Sequence, residues 1–265
     1  MLRSALRLRG YRVGAKDGEV GKVRDLFFDD NGWGVRYLVV DTRPWLGGRR
    51  VLLSPASLGR PHGEENVFRV QLTREEIETS PSVTTDQPVS RQLEKDIVDY
   101  FGWPVYWSPA APAAGSMSRA HSPPHARQRP ESEQTIPTPQ ELEGDPSVRS
   151  MYEVAGYRIR AEDGQIGHVE DFIVDDEAWA IRYLVVDTRN WLPGGKVILA
   201  PDWFGRFDWH ESKAYTALSK AAVKEAPGYN PSQPVNRDYE GRLHDYYGRP
   251  AYWMMTAAPS LSWRM

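Results

Sequence analysis

The chain has 265 residues, 40% of them apolar and 26% charged, with 10 Trp, 13 Tyr and 7 Phe. This content suits about two folded domains and excludes a wholly disordered chain. A formal net charge of −3 gives no bulk basicity for nucleic acid, and the lack of cysteine excludes disulfides, thiol catalysis, iron–sulfur clusters and cysteine-ligated zinc.

No apolar run approaches the roughly 20 residues that a membrane span needs. The first residues carry Arg3 and Arg7 where a signal peptide would need its apolar stretch. The expectation is a cytoplasmic protein without a transmembrane segment.

One internal repeat organises the chain. Arg36–Arg43 (RYLVVDTR) returns unchanged at Arg182–Arg189, and at that offset of 146 Arg3–Trp107 aligns without a gap to Arg149–Trp253, with 44 identities in 105 positions. The reading is a tandem duplication: unit 1 over 3–107, a linker over 108–148, unit 2 over 149–253 and a tail over 254–265. The linker holds eight prolines and no Phe, Trp or Tyr, too little apolar surface to offset the entropy of ordering it. The two units are expected to fold independently of it.

Within each unit the signals are those of short strands. Asp17-Gly18 and Asp163-Gly164 predict two-residue hairpin turns with positive φ at both central positions. Strands are expected before them, around 10–16 and 156–162. In the next strand Val23, Asp25 and Phe27 share a face by period two while Val20 falls out of phase, so a bulge is expected at Gly21 and its counterpart Gly167. After a turn at Asp29-Asp30 comes the strongest strand, Val35–Thr42. The Gly-rich loop 44–48 leads to a strand at Arg50–Ser54, stopped by Pro55, and Val67–Leu72 is the last strand. Five or six short strands in about 70 residues predict a small closed barrel without exposed edges. Helices follow: a capping box at Thr73–Glu76, then helices N-capped by Ser90 and Asn236 and ended by Gly102 and Gly248. An aromatic tail closes each unit. The predicted fold class is mainly β, two small barrels each followed by short helices and an aromatic tail.

Asp17–Asp25, Tyr37–Asp41 and Val51–Pro55, each recurring in unit 2, resemble the PRC-barrel family, which is known from the cytoplasmic part of the H subunit of purple-bacterial reaction centres and from the C-terminal domain of a ribosome-maturation factor. The resemblance covers roughly 10–72 and 156–218. It implies a bacterial docking or assembly barrel with no shared catalytic residues to carry over. The H subunit's membrane helix and the maturation factor's RNA-processing domain have no match here.

Asp25 and Asp171 are expected to point inward. They are read as structural acids that accept backbone N–H bonds near the bulge or pair with Arg36 and Arg182, rather than as catalytic acids. The acidic turns lack a calcium-loop pattern, no histidine sits at a metal spacing, and no nucleophile or phosphate-loop motif is present. No metal, cofactor or catalytic residue is expected. The repeated aromatics form the candidate interface: Trp33, Trp45, Trp103, Tyr106 and Trp107 in unit 1, and Trp179, Trp191, Tyr247, Tyr252 and Trp253 in unit 2. They either cover their own barrels or build a contact surface, where Trp and Tyr concentrate binding energy. The two units are expected to pack as a pseudo-twofold pair through the tails. The leading function is a non-enzymatic scaffold or adaptor for self-association or protein docking. The alternatives are an enzyme or small-ligand carrier with a site at the inter-barrel seam, and a peripheral module docking on a membrane complex.

Overall fold

The computed structural model describes residues 1–43, 46–59, 66–81, 89, 91–103, 148–189 and 195–255. In chain order, unit 1 has β1 (Leu2–Ser4), α1 (Ala5–Leu8), β2 (Arg12–Ala15), β3 (Gly18–Asp29), β4 (Val35–Asp41), β5 (Arg50–Leu53), β6 (Val67–Arg69), α2 (Arg74–Glu78) and α3 (Arg91–Phe101). Unit 2 repeats the series as β7 (Val148–Ser150), α4 (Met151–Val154), β8 (Arg158–Ala161), β9 (Gly164–Asp175), β10 (Ala180–Asp187) and β11 (Lys196–Leu199). It continues with β12 (Phe204–Asp208), β13 (Lys213–Thr216), α5 (Lys220–Glu225), α6 (Arg237–Tyr247) and α7 (Tyr252–Met255). Among the described residues no helix is long and apolar enough to cross a membrane.

Two mainly antiparallel sheets result, ordered β5-β4-β3-β2-β6 and β11-β10-β9-β8-β13-β12. In each, a proline-led 3-10 turn (Pro55–Ser57, Pro201–Trp203) follows the fifth strand. In unit 2 it hands the chain directly to β12, at the far edge of the sheet from β11. In unit 1 the bridge Leu58↔Val70 makes the same return. The fold is mainly β as expected, and among the described residues each roll is closed by chain continuity rather than by a full ladder between its two ends.

The expected bulges at Gly21 and Gly167 are present: the β2–β3 and β8–β9 registers slip there. A Cβ at either glycine would lie 2.0 Å from the carbonyl oxygen of Asp41 or Asp187, so no side chain fits. The hairpin turn lies one residue earlier than expected. Ala15 pairs with Gly18 and Ala161 with Gly164, leaving Lys16-Asp17 and Glu162-Asp163 central, with negative φ. The aspartates have a different use: Asp17 and Asp163 accept the N–H of Arg74 and Lys220, at the first residues of α2 and α5 (2.8 and 2.9 Å). The capping box at Thr73–Glu76 and the Asn236 cap form as expected. Gly102 and Gly248 take left-handed φ of 68° and 59° after α3 and α6. Ser90 lies outside the described residues.

The units do not stand apart. The second half of β3 pairs with β7 of unit 2, Phe27↔Ser150 and Asp29↔Val148, while β9 pairs with β1 of unit 1, Ile173↔Ser4 and Asp175↔Leu2. These registers are equivalent at the offset of 146, so the exchange follows an approximate twofold. Each 12-residue strand is too long for its own hairpin partner, and the other unit supplies the edge for its second half. Buried residues of both units form one continuous cluster. A pseudo-twofold pair is therefore found, but built from the N-terminal strands, and neither sheet is complete without the other unit.

Candidate functional site

The seam is assembled from repeated polar residues around an aromatic centre. Asp171 accepts the Ser4 hydroxyl (2.5 Å) and the N–H groups of Leu6 and Phe172 (3.0 and 2.7 Å). Asp25 does the same for Ser150, Tyr152 and Leu26 (2.5, 3.2 and 2.8 Å). Each carboxylate thus holds the exchanged strand and the first helical turn of the other unit. Burial raises the pKa of both, against the lowering effect of these hydrogen bonds. The expected pairing with Arg36 and Arg182 is corrected: those arginines bind Asp29 and Asp175 (2.6 and 3.0 Å). The reason is a further register slip between Val23 and Asp25, which turns Leu26 and Phe28 into the core and points Asp25 across the seam. Asp30 and Asp176 of the acidic turns bind Arg149 and Arg3 of the opposite unit (3.0 and 2.5 Å).

Trp33 and Trp179 occupy the β3–β4 and β9–β10 turns with left-handed φ of 55° and 49°, a conformation costing a non-glycine residue about 1 kcal/mol or more. Their carbonyls accept Ile181 N–H (2.8 Å) and Val35 N–H (2.7 Å) across the seam. Trp33 packs between Phe28 of its own unit and Phe207 of unit 2 (5.3 and 4.9 Å), and Trp179 reaches Phe68 of unit 1 (5.8 Å). Phe28 also meets Phe172 across the seam (5.8 Å). These contacts offset the backbone strain.

Trp103, Tyr247, Tyr252 and Trp253 make contacts within their own units. Trp103 stacks on Phe101 (4.2 Å), and Tyr247 packs on Trp203 (4.7 Å). Tyr252 lies under the Arg182 guanidinium (3.9 Å), while Trp253 lies under Arg237 (3.9 Å) and meets His244 (5.4 Å). The unit 2 tail therefore folds over its own sheet instead of forming the inter-unit contact. Trp45, Trp191, Tyr106 and Trp107 lie outside the described residues.

Sequence reasoning missed a polar cluster under that tail. The Tyr183 phenol donates to Glu240 Oε1 (2.9 Å) and lies 3.0 Å from His244 Nε2. Tyr252 donates to the same Glu240 oxygen (3.1 Å), and Arg237 flanks the other (3.3 Å). Burial, then the Glu240 charge, raises the Tyr183 pKa far above the ordinary phenol value, and burial lowers that of His244. A phenol so held keeps its proton, and the cluster ties α6 to β10. A cavity of about 380 Å³ opens beside it, lined by Trp33 of unit 1 and by Arg182, Trp203, His244, Arg249 and Tyr252 of unit 2. The only sequence signal was His244 standing where unit 1 has Val98.

Residues 4–76 match the PRC-barrel domain, so the chain carries a PRC-barrel domain over β1 to α2, a fold consistent with protein interaction. Over 91 residues the chain is 34% identical to an uncharacterized protein of Deinococcus radiodurans, a match covering 34% of this chain and 32% of that protein. The chain thus spans about a third of that relative's length.

Proposed function

We propose that the protein is a non-enzymatic scaffold of two PRC-barrel units locked into one body, which binds a partner protein or another copy of itself. The 146-residue offset supports assigning the second unit to the same domain type, and we place the protein in the cytoplasm with no role in nucleic-acid binding. The observation that carries the reading is the seam. Its aromatic and apolar centre is filled by the chain itself, as at an obligate protein interface. Beside it, Leu6 and Tyr152 stand at equivalent positions on α1 and α4, 50% and 61% exposed. Large apolar side chains so placed favour a protein contact. Sedimentation equilibrium and cross-linking in host lysate test this. Leu6→Glu with Tyr152→Glu should abolish self-association or the cross-linked partner while leaving the melting temperature close to wild type. A wild-type monomer without cross-links depending on these residues overturns the reading. The cavity beside His244 favours a second reading, a small-ligand carrier, which native mass spectrometry of protein purified from its host would reveal as a retained mass.

A further inference from the structure

The two units share one backbone plan, so equivalent surface positions act as internal controls for one another. On one face they differ sharply in charge. In unit 2, Glu170 on β9 and Lys196 on β11 form an ion pair at 2.6 Å. The same positions in unit 1 are Arg24 and Arg50, two like charges where the fold elsewhere places opposite ones. Arg24 lines an open cleft of about 610 Å³ with Arg9, Lys22, Arg43 and Asp41. The counterparts of Arg9 and Lys22 in unit 2 are Ala155 and His168.

Among the described residues the cleft has one carboxylate, and it is already engaged. Asp41 accepts the Arg43 guanidinium on both oxygens (2.6 to 3.1 Å) and the Arg43 backbone N–H (3.1 Å), and its pKa is lowered, first by the Arg43 hydrogen bond and also by the Arg50 charge. Arg43 is thereby neutralised. Among the described residues, Arg9, Lys22, Arg24 and Arg50 form no ion pair; Arg9 lies instead over the Tyr152 ring at 4.5 Å. Uncompensated cations around a concave surface raise the local concentration of anions. Guanidinium forks suit the tetrahedral oxygens of a phosphate, which they bind in bidentate fashion.

We propose that this unit 1 cleft binds a phosphate group through Arg9, Lys22 and Arg24, carried on a soluble metabolite or on a lipid headgroup, and that unit 2 has no such site. This goes beyond the scaffold reading; Leu6 also lines the cleft and Tyr152 supports Arg9, so the test changes Arg24 and leaves both in place.

The test uses the full chain and two probes at low salt: pyrophosphate by titration calorimetry, and phosphatidylcholine vesicles with and without phosphatidylglycerol by co-sedimentation. Arg24→Glu gives unit 1 the unit 2 charge arrangement, with a carboxylate facing Arg50. It should weaken binding by about tenfold or more, and added salt should weaken wild-type binding. Arg24→Gln, which removes charge without reversing it, gives a smaller loss in the same direction and serves if the glutamate variant does not fold. Pyrophosphate binding lost in these variants supports the site with a soluble ligand. Vesicle binding alone, dependent on phosphatidylglycerol and lost in the same variants, supports it with a lipid source. Binding of neither probe, or binding that both variants retain, overturns the proposal.

Discussion

Val98 and His244 occupy the same position on the terminal helices of the two units, and both are buried. Tyr37 and Tyr183 match in the same way, as do Glu94 and Glu240, each buried. Yet unit 2 adds the imidazole beside the Tyr–Glu pair and places Trp203 against it (5.2 Å), where unit 1 has the small Ser57. The seam behaves oppositely. Arg3, Ser4, Asp25, Asp30 and Trp33 are each matched by the identical residue in unit 2. The polar clasps across the seam have stayed the same in both halves of the chain, while the apolar seam residues Leu2, Phe28 and Phe68 correspond to Val148, Val174 and Ala214 at the equivalent positions. The seam is a shared constraint, because changing either side affects both sheets.

Separating the units attacks that constraint most directly. Residues 148–255 expressed alone lack β1, leaving the second half of β9 with a bare edge. The expected loss exceeds about 5 kcal/mol, comparable with the whole stability of a small domain. By circular dichroism and sedimentation the fragment should be either unfolded or a dimer that exchanges β7 between two copies. A folded monomer would show that unit 2 does not need β1.

A smaller effect is expected from Asp25→Asn with Asp171→Asn, which weakens both clasps. Each should cost about 1 kcal/mol at acidic pH, as for a hydrogen bond between neutral groups, and the two losses should be similar. The pH dependence sharpens this. Burial raises both folded-state pKa values above 3.8, so the stability contributed by the aspartates is complete below that pH and is lost as pH rises through the raised values. The gap between wild type and double variant in denaturant melts should therefore be widest near pH 3.8 and narrow towards neutrality. A gap that widens on raising the pH contradicts the assignment.

The smallest effect belongs to His244→Val, which gives unit 2 the residue of unit 1. It removes the hydrogen bonds of His244 to the Tyr183 hydroxyl and the Arg249 carbonyl (3.0 and 3.3 Å) and should cost about 1–2 kcal/mol at pH 7.5. His244 is lowered from 6.5 by burial, so its contribution is present above that pH and is lost as pH falls through the lowered value. Melts at pH 7.5 and 5 should show the difference shrinking on acidification. An unchanged difference would mean that the ring does not titrate with folding.

What was legible in the sequence was local. The bulge at Gly21 follows from Val20 falling out of phase; the capping box at Thr73–Glu76 and the glycines after α3 and α6 follow from fixed short-range chemistry. The same reasoning misplaced the hairpin turn by one residue, because the Asp-Gly pair serves the N-terminus of α2 as well as the turn. The slip at Arg24 was hidden because no glycine marks it, so of the two readings of Asp25 and Asp171 the backbone N–H bonds form and the pairing with Arg36 and Arg182 does not. The exchange itself was beyond reach. Leu2–Ser4 is three residues with no periodicity, and its pairing with Ile173–Asp175 is set by the unfilled edge of a strand about 170 residues away. Duplicated residues flagged Trp33 and Trp179, but repetition alone cannot say which unit they contact.

Strand exchange also sets the order in which the protein can be made. On a ribosome adding about 5–20 residues per second, β1 waits on the order of ten to thirty seconds for β9 to emerge, and the free half of β3 waits nearly as long for β7. During that interval an unpaired strand edge faces the crowded space around a polysome, where the same strand from a neighbouring nascent chain is an equally good match. Correct assembly then depends on the tether between the units, which keeps the right partner at higher effective concentration than its rivals. Slowing synthesis of unit 2 should accordingly shift the product towards intertwined dimers, even though no residue of the mature protein has changed.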